Sequence, residues 1–184
     1  NFAINDTTQC LNGNAFAFTN KSAFSTGSLT YSWSFGDGNT STDNNPTHTF
    51  ANPGTYTVKL VATASNLTKD SASIEVVVTE VPTASFTVNK NQQPLPANAF
   101  VLTNTSTIPA GSLAFNWSLG NGATSNATSL TYTYPAAGNF TIQLIAAAPS
   151  GCADTATADV SVLEAPSVNF AINDTTQCLN GNAF

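Results

Sequence analysis

The chain reads as an all-β protein built from two copies of one sandwich, and three features of its 184 residues say so. Apolar and polar residues alternate in run after run, the period-two pattern of half-buried strands. No segment carries a 3.6-residue period. The sequence also repeats: Asn1–Phe16 returns letter for letter as Asn169–Phe184, a period of 168 residues, and that period divides into halves of 84 that align without a gap. Phe2 falls on Phe86 and Phe170, Trp33 on Trp117, Gly54 on Gly138 and Pro82 on Pro166. Repetition of this kind marks an array made by stacking one unit on the next. The expected units are one sandwich over 1–82, a second over 83–166, and the first strands of the next repeat over 167–184, a copy of 1–16 too short to bury a core alone.

Taken in order, the apolar stripes place the strands. Phe16 and Phe18 mark an early strand, and Leu29, Tyr31, Trp33 and Phe35 form the buried face of the next. His48 with Phe50 supplies a short one. Tyr56, Val58, Leu60 and Ala62 give a longer stripe, and Ile74, Val76 and Val78 close the unit. Each returns 84 positions later; Leu113, Phe115, Trp117 and Leu119 repeat the second stripe, and Phe140, Ile142, Leu144 and Ala146 the fourth. Turn signals stand between them, as in Asp37-Gly38, Asn121-Gly122 and Asn52-Pro53-Gly54, because Asn, Asp and Gly tolerate the positive φ of tight turns. The count is about seven strands per unit, which predicts tandem immunoglobulin-like seven-stranded β-sandwiches arranged head to tail.

Composition excludes several classes. Charged residues are only 8%, the net charge is -6, and the basic residues are four lysines with no arginine. Nothing in such a chain neutralises a row of phosphates, so nucleic acid is not an expected partner. No apolar run approaches the roughly 20 residues that span a bilayer. The chain has no initiator Met and no signal peptide, which reads as the mature interior of a longer precursor.

The run from Tyr31 to Ser65, YSWSFGDGNTSTDNNPTHTFANPGTYTVKLVATAS, resembles the polycystic kidney disease (PKD) domain family, whose marks are a W-x-F-G-D-G turn followed by P-T-H-x-F/Y and G-x-Y-x-V. The second unit is a drifted copy: WSLGNG replaces WSFGDG, Tyr132 replaces His48, Phe140 replaces Tyr56, and no proline stands at the Pro46 position. The Asn- and Thr-rich style further resembles the PKD arrays of very long surface proteins of Bacteroidota, including gliding-motility adhesins. The resemblance implies an extracellular, cell-surface location and a role in spacing, adhesion or assembly rather than catalysis. Its implied partners are neighbouring repeats of the same chain, identical chains in a filament, and surface polysaccharide.

Cys10 and Cys152 have no cysteine at their equivalent positions, Pro94 and Thr68, so neither pairs within its own unit. In an immunoglobulin-like topology the loop after the first strand lies at the C-terminal end of a domain and the loop before the last strand at its N-terminal end. Head-to-tail stacking then brings Cys10 and Cys152 together across the junction. Pairing of Cys152 with Cys178 fails on distance, because about 20 extended residues at ~3.3 Å each separate them. Three free buried thiols and pairing between chains stay open as alternatives. Glu80-Val81-Pro82-Thr83 and Glu164-Ala165-Pro166-Ser167 are the linkers, neither of them a flexible Gly/Ser tether.

Asp6-Thr7-Thr8, Asp70-Ser71-Ala72, Asp154-Thr155-Ala156 and Asp174-Thr175-Thr176 share a D-[S/T]-small form. It resembles the O-glycosylation acceptor motif of Bacteroidota, which makes Thr7, Ser71, Thr155 and Thr175 candidate sites; the plain alternative is turn chemistry. His48, the single histidine, is expected to pack or pair strands, and no catalytic triad assembles around it. Asp37 and Asp43 are expected to form turns rather than hold calcium, since the copy has Asn121 and Ala127. No catalytic, cofactor or metal residues are expected. Trp33 and Trp117 alternate with buried positions and read as core, whereas Val61, Val77 and Ile145 alternate outward and form a candidate apolar surface. The expected function is the non-enzymatic stalk or fibre of a large adhesin. The alternatives are a carbohydrate- or protein-binding module and an accessory domain of a secreted hydrolase.

Overall fold

A computed structural model describes residues 1–172 and carries no helix among them. The first domain runs β1 (Phe2–Ile4), β2 (Thr8–Cys10), β3 (Phe16–Asn20), β4 (Leu29–Ser34), β5 (Thr40–Ser41), β6 (Thr47–His48), β7 (Gly54–Ala64) and β8 (Lys69–Thr79). The second repeats it as β9 (Phe86–Val88), β10 (Gln92–Pro94), β11 (Phe100–Asn104), β12 (Ala114–Ser118), β13 (Thr124–Ser125), β14 (Leu130–Tyr132), β15 (Gly138–Ala147) and β16 (Ala153–Leu163). Each domain packs a three-stranded sheet against a five-stranded one: β1-β3-β6 with β2-β8-β7-β4-β5, then β9-β11-β14 with β10-β16-β15-β12-β13. These are all-β sandwiches in tandem. The expected seven strands become eight segments because the first divides between the two sheets.

That division has a local cause. β1 pairs antiparallel with β3, Phe2 opposite Asn20, while β2 pairs parallel with β8, Cys10 opposite Thr79. At the crossover the Asn5 side chain works as a piece of backbone: Nδ2 donates to Ala15 O and Oδ1 accepts from Ala17 N–H, both at 3.0 Å. Gln9 does the same one step on, with Nε2 donating to Ala15 O and Oε1 accepting from Ala15 N–H at 2.7 Å. Asn89 and Gln93 repeat these contacts in the second domain.

Between the sheets lies an aromatic core. Trp33 and Trp117 are fully buried, and each indole N–H has a carbonyl partner, Asp43 O at 2.9 Å and Ala127 O at 2.8 Å. Phe16, Phe18, Phe35, Val58 and Leu60 surround the first, Phe100, Leu102, Leu119, Ile142 and Leu144 the second. Asn14 is 4% exposed and Asn98 3%, yet both are satisfied. Asn14 Nδ2 donates to Phe50 O at 3.0 Å and its Oδ1 accepts from Phe50 N–H at 2.8 Å; Asn98 clasps Tyr134 in the same way. Each amide extends a short ladder, β3 with β6 or β11 with β14, by one rung made of side chain.

Two readings of the sequence need correction. Val61, Val77 and Ile145 are half-buried rather than open to solvent, since they lie in central or covered strands of the five-stranded sheets. Cys10 is the last residue of β2 rather than part of a loop, since it pairs with Thr79 at the end of β8.

Candidate functional site

The chemistry most distinctive of this chain lies where the two domains meet. β2 carries Cys10 to the C-terminal end of the first domain, anchored by Leu11 N–H donating to Thr79 O at 2.9 Å. The β15–β16 turn carries Cys152 to the N-terminal end of the second, closed by Ala148 N–H donating to Cys152 O at 2.8 Å. The structure joins the two as a disulfide with a Cα separation of 5.7 Å across 142 residues of sequence. Cys152 is 2% exposed, and Thr79 Oγ1 lies 2.9 Å from its sulfur.

The linker docks rather than dangles. Pro82 is buried, and Thr83 exchanges both backbone bonds with Thr107 at 2.8 and 2.9 Å. Ala84 N–H donates to Asp154 Oδ2 at 2.8 Å. That bond, with a second from Thr155 N–H, holds the Asp154 carboxyl below the usual carboxylate range. Pro53, Val78 and Glu80 of the first domain face Ile108, Ala148 and Pro149 of the second across a cleft. Sequence alone marks Asp154 only as part of the repeated D-[S/T]-small motif it shares with Asp70, and it gives Thr79 no role.

A second cluster surrounds the GDG turn. His48 Nε2 and Asp37 Oδ2 are 2.8 Å apart, and the imidazole stacks on Phe35 with ring centres 4.0 Å apart and planes 6° from parallel. Burial pushes the Asp37 carboxyl up, but bonds from His48 and Asn39 outweigh it and the net shift is down. In the second domain Asn121 Nδ2 donates to the Tyr132 hydroxyl at 2.9 Å. Two sequence differences that look independent, Asp37 to Asn121 and His48 to Tyr132, are therefore the two ends of one contact. Asp43 is occupied separately, accepting from Ser41 Oγ at 3.1 Å. Asp37 and Asp43 are thus both engaged in loop bonding, and among the described residues no three His, Cys, Asp or Glu side chains gather.

Thr7, Ser71 and Thr155 are exposed, while Thr175 and Cys178 lie outside the described residues. The aspartate of each described motif accepts a backbone N–H: Asp6 from Thr8, Asp70 from Ser71 and Asp154 from Ala84. No helix in the described residues is long and apolar enough to cross a membrane.

Comparison with known proteins points one way. A family model described as the PKD domain matches residues 2–79 and again 79–162. Collagenase ColA of Bacillus cereus is 38% identical over 76 residues, which cover 41% of this chain and 8% of the collagenase, so the match concerns a small part of that protein. Among solved structures, the PKD1 domain of Vibrio anguillarum Epp is 28% identical, with 47% of this chain and 96% of that one covered and a TM-score of 0.40. The PKD1 domain of the Vibrio cholerae metalloprotease PrtV gives 28%, 45%, 96% and 0.40 for the same quantities. With the family model accounting for both sandwiches in succession, the chain belongs to the PKD domain family as a tandem pair.

Proposed function

We propose that this pair is a non-catalytic spacer, one period of the stiff stalk or fibre of a large extracellular surface adhesin or filament. The observation that carries the reading is the junction: a disulfide, a two-bond backbone bridge and the Asp154 carboxylate all fix one domain upon the next. A chain selected to let its domains swing freely has no use for these contacts and would favour a Gly/Ser tether. The disulfide suits an oxidising compartment outside the cytosol. The 168-residue return suits an array, in which neighbouring repeats are the first partners and identical chains or surface polysaccharide the next. Trp33 and Trp117 are buried and do not serve as sugar platforms. The exposed hydroxyls of Thr7, Ser71 and Thr155 are the O-glycan acceptors on this reading, and mass spectrometry of the natively secreted protein checks them.

The likeness to a collagenase favours a second reading, an accessory segment of a secreted hydrolase. Small-angle scattering and a glycan array separate the cases. The stalk reading expects an elongated particle of one fixed length and no saturable glycan binding. A broad distribution of interdomain angles in the oxidised protein would sink it, and a catalytic domain encoded in the same gene would move the balance to the hydrolase.

A further inference from the structure

The two domains differ at their N-terminal poles. In the second domain that pole is filled by the arriving linker: Thr83 bridges Thr107 through both backbone bonds, Ala84 N–H donates to Asp154, and Thr105 N–H donates to Ser85 O at 2.8 Å. The first domain reproduces the last of these, Lys21 N–H donating to Asn1 O at 2.9 Å. It also keeps the rest of the seat, with Ala23 at the Thr107 position and Asp70 at the Asp154 position. Around them is an open cavity of about 340 Å³ whose lining includes Asn1, Lys21, Ala23, Phe24 and Asp70. Asp70 Oδ1 accepts from Ser71 N–H at 2.8 Å, which leaves Oδ2 for a second donor, the part that Ala84 N–H plays for Asp154.

A segment matching that seat is written in the sequence. Residues 164–168 stand 84 positions after residues 80–84, and Asn169 repeats Asn1, so wherever the period continues Val168 is the residue before an Asn1 equivalent. The charges also match. Lys21 and Lys69, two of the four lysines, stand where the second domain has Thr105 and Ala153. In the disulfide-bonded junction Thr79, which precedes Glu80, lies 2.9 Å from the sulfur of Cys152. The equivalents are Leu163, which precedes Glu164, and Thr68, which precedes Lys69, so the same docking brings the segment that carries Glu164 to the one that carries Lys69.

We propose that the N-terminal pole of the first domain is a socket for residues 164–168 of a preceding copy of this sequence. Ser167 bridges Ala23 through the backbone, Val168 N–H donates to the Asp70 carboxylate, and Glu164 faces Lys69. The inference rests on reading the chain as part of a tandem array. Since Pro94 and Thr68 replace the two cysteines at this joint, it is held by hydrogen bonds and an exposed ion pair that screens with salt. The array then alternates covalent and non-covalent joints with the 168-residue period.

Two consecutive 168-residue periods produced as one chain contain this pole twice, open in the first copy and occupied in the second. With the copies labelled separately, amide exchange of Ala23 is expected to be at least about tenfold slower in the second copy, the protection that a closed backbone bond confers. Asp70→Ala in the second copy should erase most of that difference, and Lys69→Glu should reduce it at low ionic strength only. Equal exchange of the two Ala23 amides, with Thr107 protected in the same molecules, overturns the socket. It leaves the stalk standing if scattering still gives an elongated particle, whereas a protected Ala23 in a compact particle overturns the stalk and keeps the socket.

Discussion

Between the two domains a hydroxyl changes places. Phe50 stacks on Tyr56 with ring centres 4.1 Å apart, and at the same positions Tyr134 stacks on Phe140 at 4.0 Å. Tyr56 reaches out to Asn52 O at 2.8 Å, while Tyr134 points inward to Leu119 O at 2.7 Å. Burial, with the nearby Tyr132, pushes Tyr134 up to about 12. In a spectrophotometric titration a step near pH 12 is therefore expected from Tyr134, and Tyr134→Phe should remove it. The buried clasp matters more for stability. Asn14→Ala leaves the N–H and C=O of Phe50 without partners, at a cost of about 1–3 kcal/mol for each orphaned group, measured by denaturant unfolding. Asp37 adds a pH dependence. Its folded pKa is lowered, so its contribution is present above the ordinary value of 3.8 and is lost as pH falls through the folded value. Asp37→Asn should accordingly make the acid limb of the stability profile shallower. Asn14 could be seen in the sequence as a recurring letter, but not as a clasp, because its partner lies 36 residues away.

At the scale of elements, alternation marked the strands that have one face in the core. Leu29 to Phe35 and Tyr56 to Ala62 stand as their apolar stripes require. The division of the first strand is not legible in the sequence for a physical reason: β1 and β2 have three residues each, too few to show a period, and their crossover is fixed by the Asn5 and Gln9 side chains. The turn after β4 was legible as a type but not as a contact. Gly36 has a φ of +86°, and a Cβ there would stand 2.8 Å from Thr57 O; Gly120 meets Thr141 O at the same 2.8 Å. Gly36→Ala thus combines left-handed strain with a clash against β7. It should destabilise the first domain by more than the ~1–2 kcal/mol that a left-handed non-glycine residue costs by itself, while Gly38→Ala, with nothing within 4 Å, should cost only the strain.

For the whole molecule, three cysteines in a sequence leave their pairing open until two domains are placed end to end, and the bond from Cys10 to Cys152 belongs to that level alone. Asp154 belongs there too, since its donor comes from the other side of the linker. The position of this bond decides how the chain behaves when it is pulled. Tension entering at residue 1 reaches Cys10, passes through the sulfurs to Cys152 and leaves along β16, so the chain enclosed by the disulfide, Trp33 and Trp117 included, carries none of the load. Should the domains unfold, the 142 residue steps from one cysteine to the other cannot pay out, and at about 3.4 Å per residue roughly 480 Å of slack stays locked. Single-molecule stretching in oxidising buffer should show only short extensions per pair, and reductant should release the missing length; full-length extension without reductant would mean the bond is absent. A chain wired this way tolerates the melting of its domains without growing longer, acting as a tether with a fixed maximum reach.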